Sequence, residues 1–358
     1  MPTTSVTIEG LTRRFGDFTA VDDVSLDIAS GEFFTLLGSS GCGKTTLLRV
    51  VAGFLRQSSG RVLFGTRAID DVPAHRRNTG MVFQNYAIFP HLTVAQNIAY
   101  GLKARGVGRT EVERRVGRML EMTRLAPLAA RKPRELSGGQ QQRVVLARAV
   151  VIEPDVLLMD EPLSNLDAEM RVHLRQEIRT LQRQIGVTTI YVTHDQEEAL
   201  SLSDRIAVMR AGRIEQLGTP HAIFNEPATR FVAGFIGESN FLRARRLGPP
   251  DAAGLVPFEA EGGLRLAVPA ARLRGTGERF ALSFRPHHVR VAPDGAHPAI
   301  LRETVYAGTS MRQILEAGDA RIASLTLSPP GAAAVSPGAA LRFDVPPEAI
   351  TAFAEEAA

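Results

Sequence analysis

Residues 38–46 read GSSGCGKTT and follow directly on the apolar run FFTLLG at 33–38. The order is a buried strand, a glycine-rich turn, and then a lysine and two threonines leading the amphipathic run TTLLRVVAGFL at 45–55. It fits the spacing G-x-x-x-x-G-K-[ST], with Gly38, Gly43, Lys44 and Thr45 in place. Glycines let main-chain N–H groups close around a β-phosphate, the helix N-terminus adds its positive dipole, and Lys44 supplies a point charge. Ser39, Ser40, Gly41, Cys42 and Thr46 complete the nucleotide-binding stretch, and Thr45 offers a hydroxyl to Mg²⁺.

Such a loop needs an acidic partner for the metal on a neighbouring strand. DVLLMDE at 155–161 supplies it. Asp160 ends an apolar strand and would hold Mg²⁺ through water, while Glu161 would polarise the attacking water or accept its proton. LSGGQQQR at 136–143 adds a second anion site, because Ser137 is a good N-cap and Gly138 and Gly139 expose N–H groups at a helix start. One chain thus carries two phosphate-binding helix N-termini and one phosphate-loop lysine. Two chains arranged head to tail would complete two sites, each pairing the phosphate loop of one with the LSGGQ of the other.

LSGGQ followed by LLMDEP, SNLDA and THD resembles the ATP-binding cassette (ABC) family of transport ATPases, in order and spacing, from residue 5 to about 237. The resemblance implies a P-loop α/β domain with a mostly parallel sheet and a helical subdomain. It also implies roles for matching positions. Phe15 stands where an aromatic stacks on adenine. Gln84 matches the glutamine that senses Mg²⁺ and the attacking water and couples to the membrane partner. Gln140 completes the signature that closes over ATP, Asp167 matches the loop crossing the dimer interface, and His194 matches the switch histidine at the γ-phosphate. Ser39 replaces a proline common in relatives, at a position the motif leaves open. Within NYAIFPHLTVAQNIAYGL (85–102), between helices, Phe89, Pro90 and His91 are the candidates to receive a membrane subunit.

Around these motifs, strands alternate with helices. GMVFQ (80–84), DVLLMD (155–160) and TTIYVTHD (188–195) read as strands. EVERRVGRMLEMTRL (111–125), QQQRVVLARAVVI (140–152), AEMRVHLRQEIRTLQRQIG (168–186) and QEEALSLS read as helices, and RIAVMRAGRIEQLG (205–218) as a hairpin. Near residue 240 the texture changes to short apolar–polar alternations cut by Pro and Gly. These point to a small all-β, OB-like barrel resembling the TOBE domain of importer ATPases, with ESNFLRARRLGPPDAAG as the junction. The expected domains are 1–237 and 238–358. In SFRPHHVRV (283–291) two histidines follow Arg285-Pro286 where relatives have R-P-E. Neighbours on a strand point to opposite faces, which argues against a shared metal there.

Composition narrows the function classes. The 358 residues are 44% hydrophobic and 22% charged, without an apolar run of membrane-helix length and without the features of a signal peptide. The formal charge is +4, and lysine occurs only at Lys44, Lys103 and Lys132. The arginine bias reads as codon composition, and no basic run marks a nucleic-acid partner. The single cysteine, Cys42, excludes an internal disulfide and, at a helix N-terminus, is expected to be reactive.

These readings converge on the ATP-hydrolysing translocase subunit of a bacterial importer, peripheral on the cytoplasmic face of the inner membrane, with ATP and Mg²⁺ as cofactors. Its expected partners are two integral-membrane permease subunits, a periplasmic or extracellular solute-binding protein, and a second ATPase subunit, identical or paralogous. The local match is to the spermidine/putrescine group; ferric iron, phosphonate, sulfate and sugar importers have similar ATPases. A soluble cassette ATPase acting on ribosomes or DNA is disfavoured by the single cassette. A P-loop GTPase is disfavoured by the missing N-K-x-D motif.

Overall fold

In the computed structural model, which describes residues 4–327 and 336–355, FFTLLG is the strand Phe33–Gly38, buried at every position. A strand without an exposed face must lie inside a sheet covered on both sides. The six-stranded sheet runs in the order Arg213–Gly218, Arg205–Arg210, Phe33–Gly38, Thr188–Thr193, Val156–Asp160, Thr79–Val82. All neighbours are parallel except the first pair, which turns at Ala211 and Gly212, both with positive φ. Alternation along the strands divides the core. Phe33, Leu157, Met159 and Tyr191 face one hydrophobic cluster, whereas Phe34, Leu36, Val156, Leu158, Ile190 and Val192 face the other.

The first cluster is filled by a helical layer: Val94–Ala104, Arg109–Met122, Gly138–Val150 and Ala168–Ile185. The second is closed by the helix Lys44–Ala52 and by an antiparallel sheet in the order Phe18–Ile28, Val6–Phe15, Ser59–Phe64, Arg67–Ala68.

Three local expectations are corrected. The strand ending at Asp160 does not neighbour Phe33–Gly38, because Thr188–Thr193 pairs with both and lies between them. The segment 85–102 is not merely a connection between helices. It contains most of the helix Val94–Ala104, whose capping box has Gln96 N donating to Thr93 Oγ1 at 3.2 Å and Thr93 N donating to Gln96 Oε1 at 2.9 Å. The strand expected over 80–84 ends at Val82, leaving Phe83 and Gln84 in the following loop.

Contacts divide the chain into the units Met1–Pro220 and His221–Ala358, so the boundary falls earlier than 237. The expected junction at 238–254 holds the strand Asn240–Arg246. The second unit contains two sheets, one in the order Leu264–Pro269, Leu255–Ala260, Asn240–Arg246, Arg279–Phe284, Thr351–Ala354, Leu273–Arg274. The other runs Arg290–Val291, Ala340–Asp344, His297–Tyr306, Ser310–Ala317, Ala320–Leu327. Together they enclose one core around Phe258, Phe280, Phe284 and Phe343.

Arg285 explains why the helix Arg230–Phe235 belongs with this unit. Its buried guanidinium donates to the carbonyls of Ala233 (2.9 Å), Glu238 (3.2 Å) and Phe224 (3.0 Å) and to Ser239 Oγ (2.7 Å). Burial lowers its pKa to about 10. The adjacent histidines correct a further expectation. Pro286–His288 is a 3₁₀ turn rather than strand, and the rings of His287 and His288 meet at 4.3 Å instead of pointing apart. Proline lacks the N–H a ladder needs and fixes the φ that starts the turn. Among the described residues no group of three or more His, Cys, Asp or Glu side chains could hold a metal ion.

Arg285→Met would strand those carbonyls, and the second unit should lose about 3 kcal/mol of stability in urea unfolding. Burial lowers the pKa values of His287, His288 and His297. A depressed folded-state pKa means that the unfolded chain binds protons first. The associated stability is therefore present above about pH 6.5 and lost as pH falls through the folded values. Calorimetry of the second unit's transition should show Tm flat above that pH and falling below it; a Tm that rose on acidification would contradict the assignment.

Candidate nucleotide-binding and hydrolysis site

The loop after Phe33–Gly38 can close because its glycines admit the backbone of other segments. A Cβ on Gly38 would stand 2.6 Å from Met209 O, and one on Gly43 (φ 105°) would overlap Ala20 O. Gly212 N donates to Cys42 O at 3.0 Å, and Asp22 N donates to Gly212 O at 2.9 Å. Lys44 begins the helix Lys44–Ala52, and its buried ammonium donates to the carbonyls of Gly38 (2.8 Å) and Ser39 (2.9 Å), across the mouth of the loop. Ser39, Ser40 and Gly41 are exposed, and Thr46 is half-buried. Cys42 departs from expectation: the residue is 4% exposed and packed into the core, with Sγ 3.8 Å from Lys44 Nζ, so reagents reach it only if the loop opens.

Thr45 Oγ1 donates to Asp160 Oδ1 at 2.9 Å although the strand that precedes its loop and the strand that ends at Asp160 are not neighbours. The loop carries Thr45 across the end of the intervening strand. Burial raises the pKa of Asp160, and the hydrogen bond from Thr45 opposes that shift. Glu161 follows with φ 45°, a left-handed conformation that costs a non-glycine residue about 1 kcal/mol. Its N–H is held by Val192 O at 3.0 Å. The turn aims the carboxylate, 17% exposed, at two groups: His194 Nδ1 lies 3.1 Å from Oε2, and Gln84 Nε2 lies 3.5 Å from the same oxygen. Asn165 Nδ2 donates to Gln84 O at 2.9 Å, fixing that loop. The structure therefore brings Gln84, Glu161 and His194 together around one carboxylate oxygen, beside Thr45 and Asp160.

Ser137 and Gln140 are placed elsewhere. They cap each other reciprocally at the start of Gly138–Val150, with Ser137 N donating to Gln140 Oε1 at 3.0 Å. Among the described residues no hydrogen bond or ion pair joins Ser137–Gln140 to the phosphate loop. The two glycines are also a packing surface, since a Cβ on Gly139 would overlap Met170 Sδ and one on Gly138 would lie 3.1 Å from Leu166. Asp167 caps the helix Ala168–Ile185 by accepting from Met170 N at 2.9 Å. Phe15 ends its strand 44% exposed, with the Arg13 guanidinium 4.3 Å from the ring centroid. One ring face is thus taken by the protein.

Sequence reasoning missed the residues that shape the loop from 84 to 93. Asn97, fully buried, accepts from Phe89 N and donates to the carbonyls of Phe89, Leu92 and Thr93. Arg148 donates to the carbonyls of Ala87 (2.9 Å) and Tyr86 (3.2 Å), both in left-handed conformations, and burial lowers its pKa. The T-x-x-Q capping box was the available signal for the helix that carries Asn97; nothing local marks Arg148. The rings of Phe89 and Tyr100 meet at 4.5 Å, tilted by 42°, with the His91 ring 6.2 Å from that of Phe89.

The strand–loop–helix cradle, the carboxylate cluster and the separate glycine-led helix start define a P-loop ATPase of the cassette type. The ABC transporter family model matches residues 21–164, and the TOBE domain model matches 282–353. A spermidine/putrescine import ATP-binding protein of Rubrobacter xylanophilus is 47% identical over 342 residues, 94% of this chain and 90% of the relative. Its counterpart in Acidothermus cellulolyticus is 50% identical over 308 residues, 84% and 80% of the two chains. An Fe(3+) ions import ATP-binding protein of Fusobacterium nucleatum is 56% identical over 239 residues, 67% and 64%. Among solved structures, a subunit of an ABC transporter complex from Clostridium perfringens superposes with TM-score 0.59 at 31% identity, covering 63% of this chain and 92% of that one. A dimeric bacterial ABC transporter cassette gives 0.53 at 29%, covering 60% and 98%. The chain belongs to the ABC transporter family, as an ATP-binding subunit of its importers. It binds ATP and couples ATP hydrolysis to transport.

Gly43→Ala should abolish ATP binding, because the loop cannot keep its path past Ala20 O, while Lys44→Ala should abolish it with the fold intact. Equilibrium binding of a fluorescent ATP analogue, with circular dichroism as the fold control, checks both; unchanged affinity for Lys44→Ala would refute the cradle.

Proposed function

We propose that this chain energises a polyamine importer as a MgATP-dependent, head-to-tail dimer of ATPase subunits docked beneath two permease subunits. The observation that carries the catalytic part is the convergence of Gln84, Glu161 and His194 on one oxygen beside Thr45 and Asp160. In this reading the phosphate loop and Lys44 bind the ATP phosphates, and the free face of Phe15 stacks on adenine. Water attacks the γ-phosphorus, the bond to the β-phosphate oxygen breaks, and Glu161 takes the proton from the water. His194 and Gln84 orient Glu161 and contact the γ-phosphate end.

Mg²⁺ fits the residues present. A threonine hydroxyl and a buried carboxylate, raised in pKa by desolvation, form a hard-oxygen set that a divalent cation would satisfy. Thr45, Asp160 and Gln84 would hold it. When bound, it neutralises charge developing on the phosphate oxygens.

Dimerisation is supported by the separation of Ser137–Gln140 from the chain's own phosphate loop in the hydrogen-bond network. The bacterial ABC transporter cassette that superposes on this chain is itself a dimer, which adds support. Ser137, Gly138, Gly139 and Gln140 would close over the partner's ATP, with Asp167 at the interface. No helix of the described residues is long and apolar enough to cross a membrane, consistent with a peripheral subunit that relies on permeases and a solute-binding protein. Phe89, Pro90, His91 and Tyr100 form the surface proposed to receive a permease. Polyamine cargo is supported by the spermidine/putrescine relatives that span most of the chain. Ferric ion is the second reading, favoured by the 56% identical iron relative.

Glu161→Gln should bind ATP, lower kcat at least about 100-fold and accumulate an ATP-dependent dimer in size-exclusion chromatography. Full turnover by that variant would remove Glu161 as the base, and a monomer under saturating ATP would remove the dimer. Reconstituted with its permeases, the ATPase should respond to binding protein loaded with spermidine and not with ferric ion; the reverse would establish the second reading.

A further inference from the structure

We infer that Asp195 is a positioning residue for hydrolysis, fixing His194 through Arg171 and Arg175 to the helix Ala168–Ile185. The inference rests on the roles proposed above for Glu161 and His194.

His194 is the first residue beyond the fully buried strand Thr188–Thr193, and its side chain is 53% exposed. A residue there leaves the sheet ladder, so other bonds must hold it. On its N-terminal side, Thr193 Oγ1 donates to the buried Glu198 carboxylate at 2.8 Å and accepts from Asp195 N at 2.9 Å. Tyr191 OH donates to the same Glu198 oxygen at 2.8 Å. On its C-terminal side, Asp195 divides its two oxygens between two elements. Oδ1 accepts from Glu198 N at 3.1 Å and caps the helix Gln196–Leu202. Oδ2 lies 3.1 Å from Arg171 Nη1 and 3.6 Å from Arg175 Nη2.

These arginines are not surface ornaments of a solvated helix. The Arg175 side chain is 12% exposed, and the Nε atoms of both are buried without partners. A guanidinium largely withdrawn from water, as that of Arg175 is, depends on the carboxylates it has, while the Arg171 side chain remains 31% exposed. Glu197 takes one Nη of Arg175 at 3.2 Å, and Asp195 is the carboxylate both arginines share.

Arg171 lies one turn into the helix that Asp167 caps, and Met170 beside it packs on Gly139. A continuous path of packed atoms therefore runs from the signature glycines through the first turn of Ala168–Ile185 to Asp195 and His194. The switch histidine is oriented by the same rigid element that supports the LSGGQ start. Among the described residues no hydrogen bond or ion pair joins Asp195 to Glu161, so its contribution acts through His194.

The test uses the full chain with MgATP. Asp195→Asn keeps the helix cap, since Asn caps as well as Asp, but removes the charge that Arg171 and Arg175 share. A double variant, Arg171→Ala with Arg175→Ala, leaves residue 195 untouched. Both should lower kcat at least about tenfold with KM for ATP held within about twofold. In a Glu161→Gln background, each should still form the ATP-dependent dimer. Wild-type kcat in Asp195→Asn, or a loss confined to KM, would overturn the inference. So would a defect in Asp195→Asn that the folded double variant lacks. Asp195→Asn decides alone if the double variant does not fold. Full turnover by Glu161→Gln itself would place the failure in the catalytic assignment rather than in the Asp195 joint.

Discussion

The passage of Gly43 beneath the Ala20 carbonyl is the constraint on which the nucleotide site depends. Backbone meets backbone there, so no side chain can give way, and the position accepts only a residue without Cβ. The main-chain bonds from Gly212 to Cys42 and from Asp22 to Gly212 close the same junction from the other side. The loop thus takes its shape from the strand Phe18–Ile28 and the hairpin at Ala211-Gly212, rather than from any ligand. In the proposed ATP site, a loop held in place by its own backbone would need little reorganisation, the condition under which electrostatic stabilisation is strongest. The same geometry launches the helix Lys44–Ala52 at the angle that lets Thr45 reach Asp160 over an intervening strand.

Parallel pairing then accounts for the convergence of the chemistry. Phe33–Gly38, Thr188–Thr193, Val156–Asp160 and Thr79–Val82 are consecutive neighbours and end at one edge of the sheet. The groups that follow them are Lys44, His194, Glu161 and Gln84. In doubly wound sheets ligands bind beyond the carboxyl ends of the strands, because that is where the loops from many strands meet. Gln84, Glu161 and His194 reach one oxygen although they lie far apart in the chain, because each is the first or second residue beyond a strand end.

What could be read from the sequence was what is contiguous. The cradle, LSGGQ and the Asp160-Glu161 pair are written in short runs whose residue types carry their own physics, and the parallel sheet followed from strands alternating with helices. Strand order was not legible, since it depends on which helices cross which face; hence Asp160 was expected on an adjacent strand. The strand Val6–Phe15 escaped notice because register shifts between Ile8 and Arg14 break the period-two pattern, whereas Phe18–Ile28 escaped notice although residues 23–28 alternate exposed and buried. Arg148, Asn97 and Arg285 were illegible for another reason. Arg148 and Arg285 satisfy main-chain carbonyls of a distant loop, Asn97 those of residues four to eight positions before it, and a carbonyl leaves no trace in sequence.

Those same residues show how the proposed working parts are mechanically joined. Arg148 lies near the end of the helix Gly138–Val150 and holds the left-handed carbonyls of Tyr86 and Ala87, between Gln84 and Phe89. The start of that helix packs through Gly139 on Met170, and so on the helix that reaches Asp195. The signature helix therefore contacts the Gln84 loop with one end and the support of His194 with the other. Packed interiors do not deform continuously. In the proposed dimer, closure of a second subunit against Ser137–Gln140 would displace this helix, and with it the two arms of the proposed hydrolytic cluster and the Phe89 surface. Coupling between ATP and a membrane partner then needs no separate relay, because the surface and the cluster are already fastened to one rod.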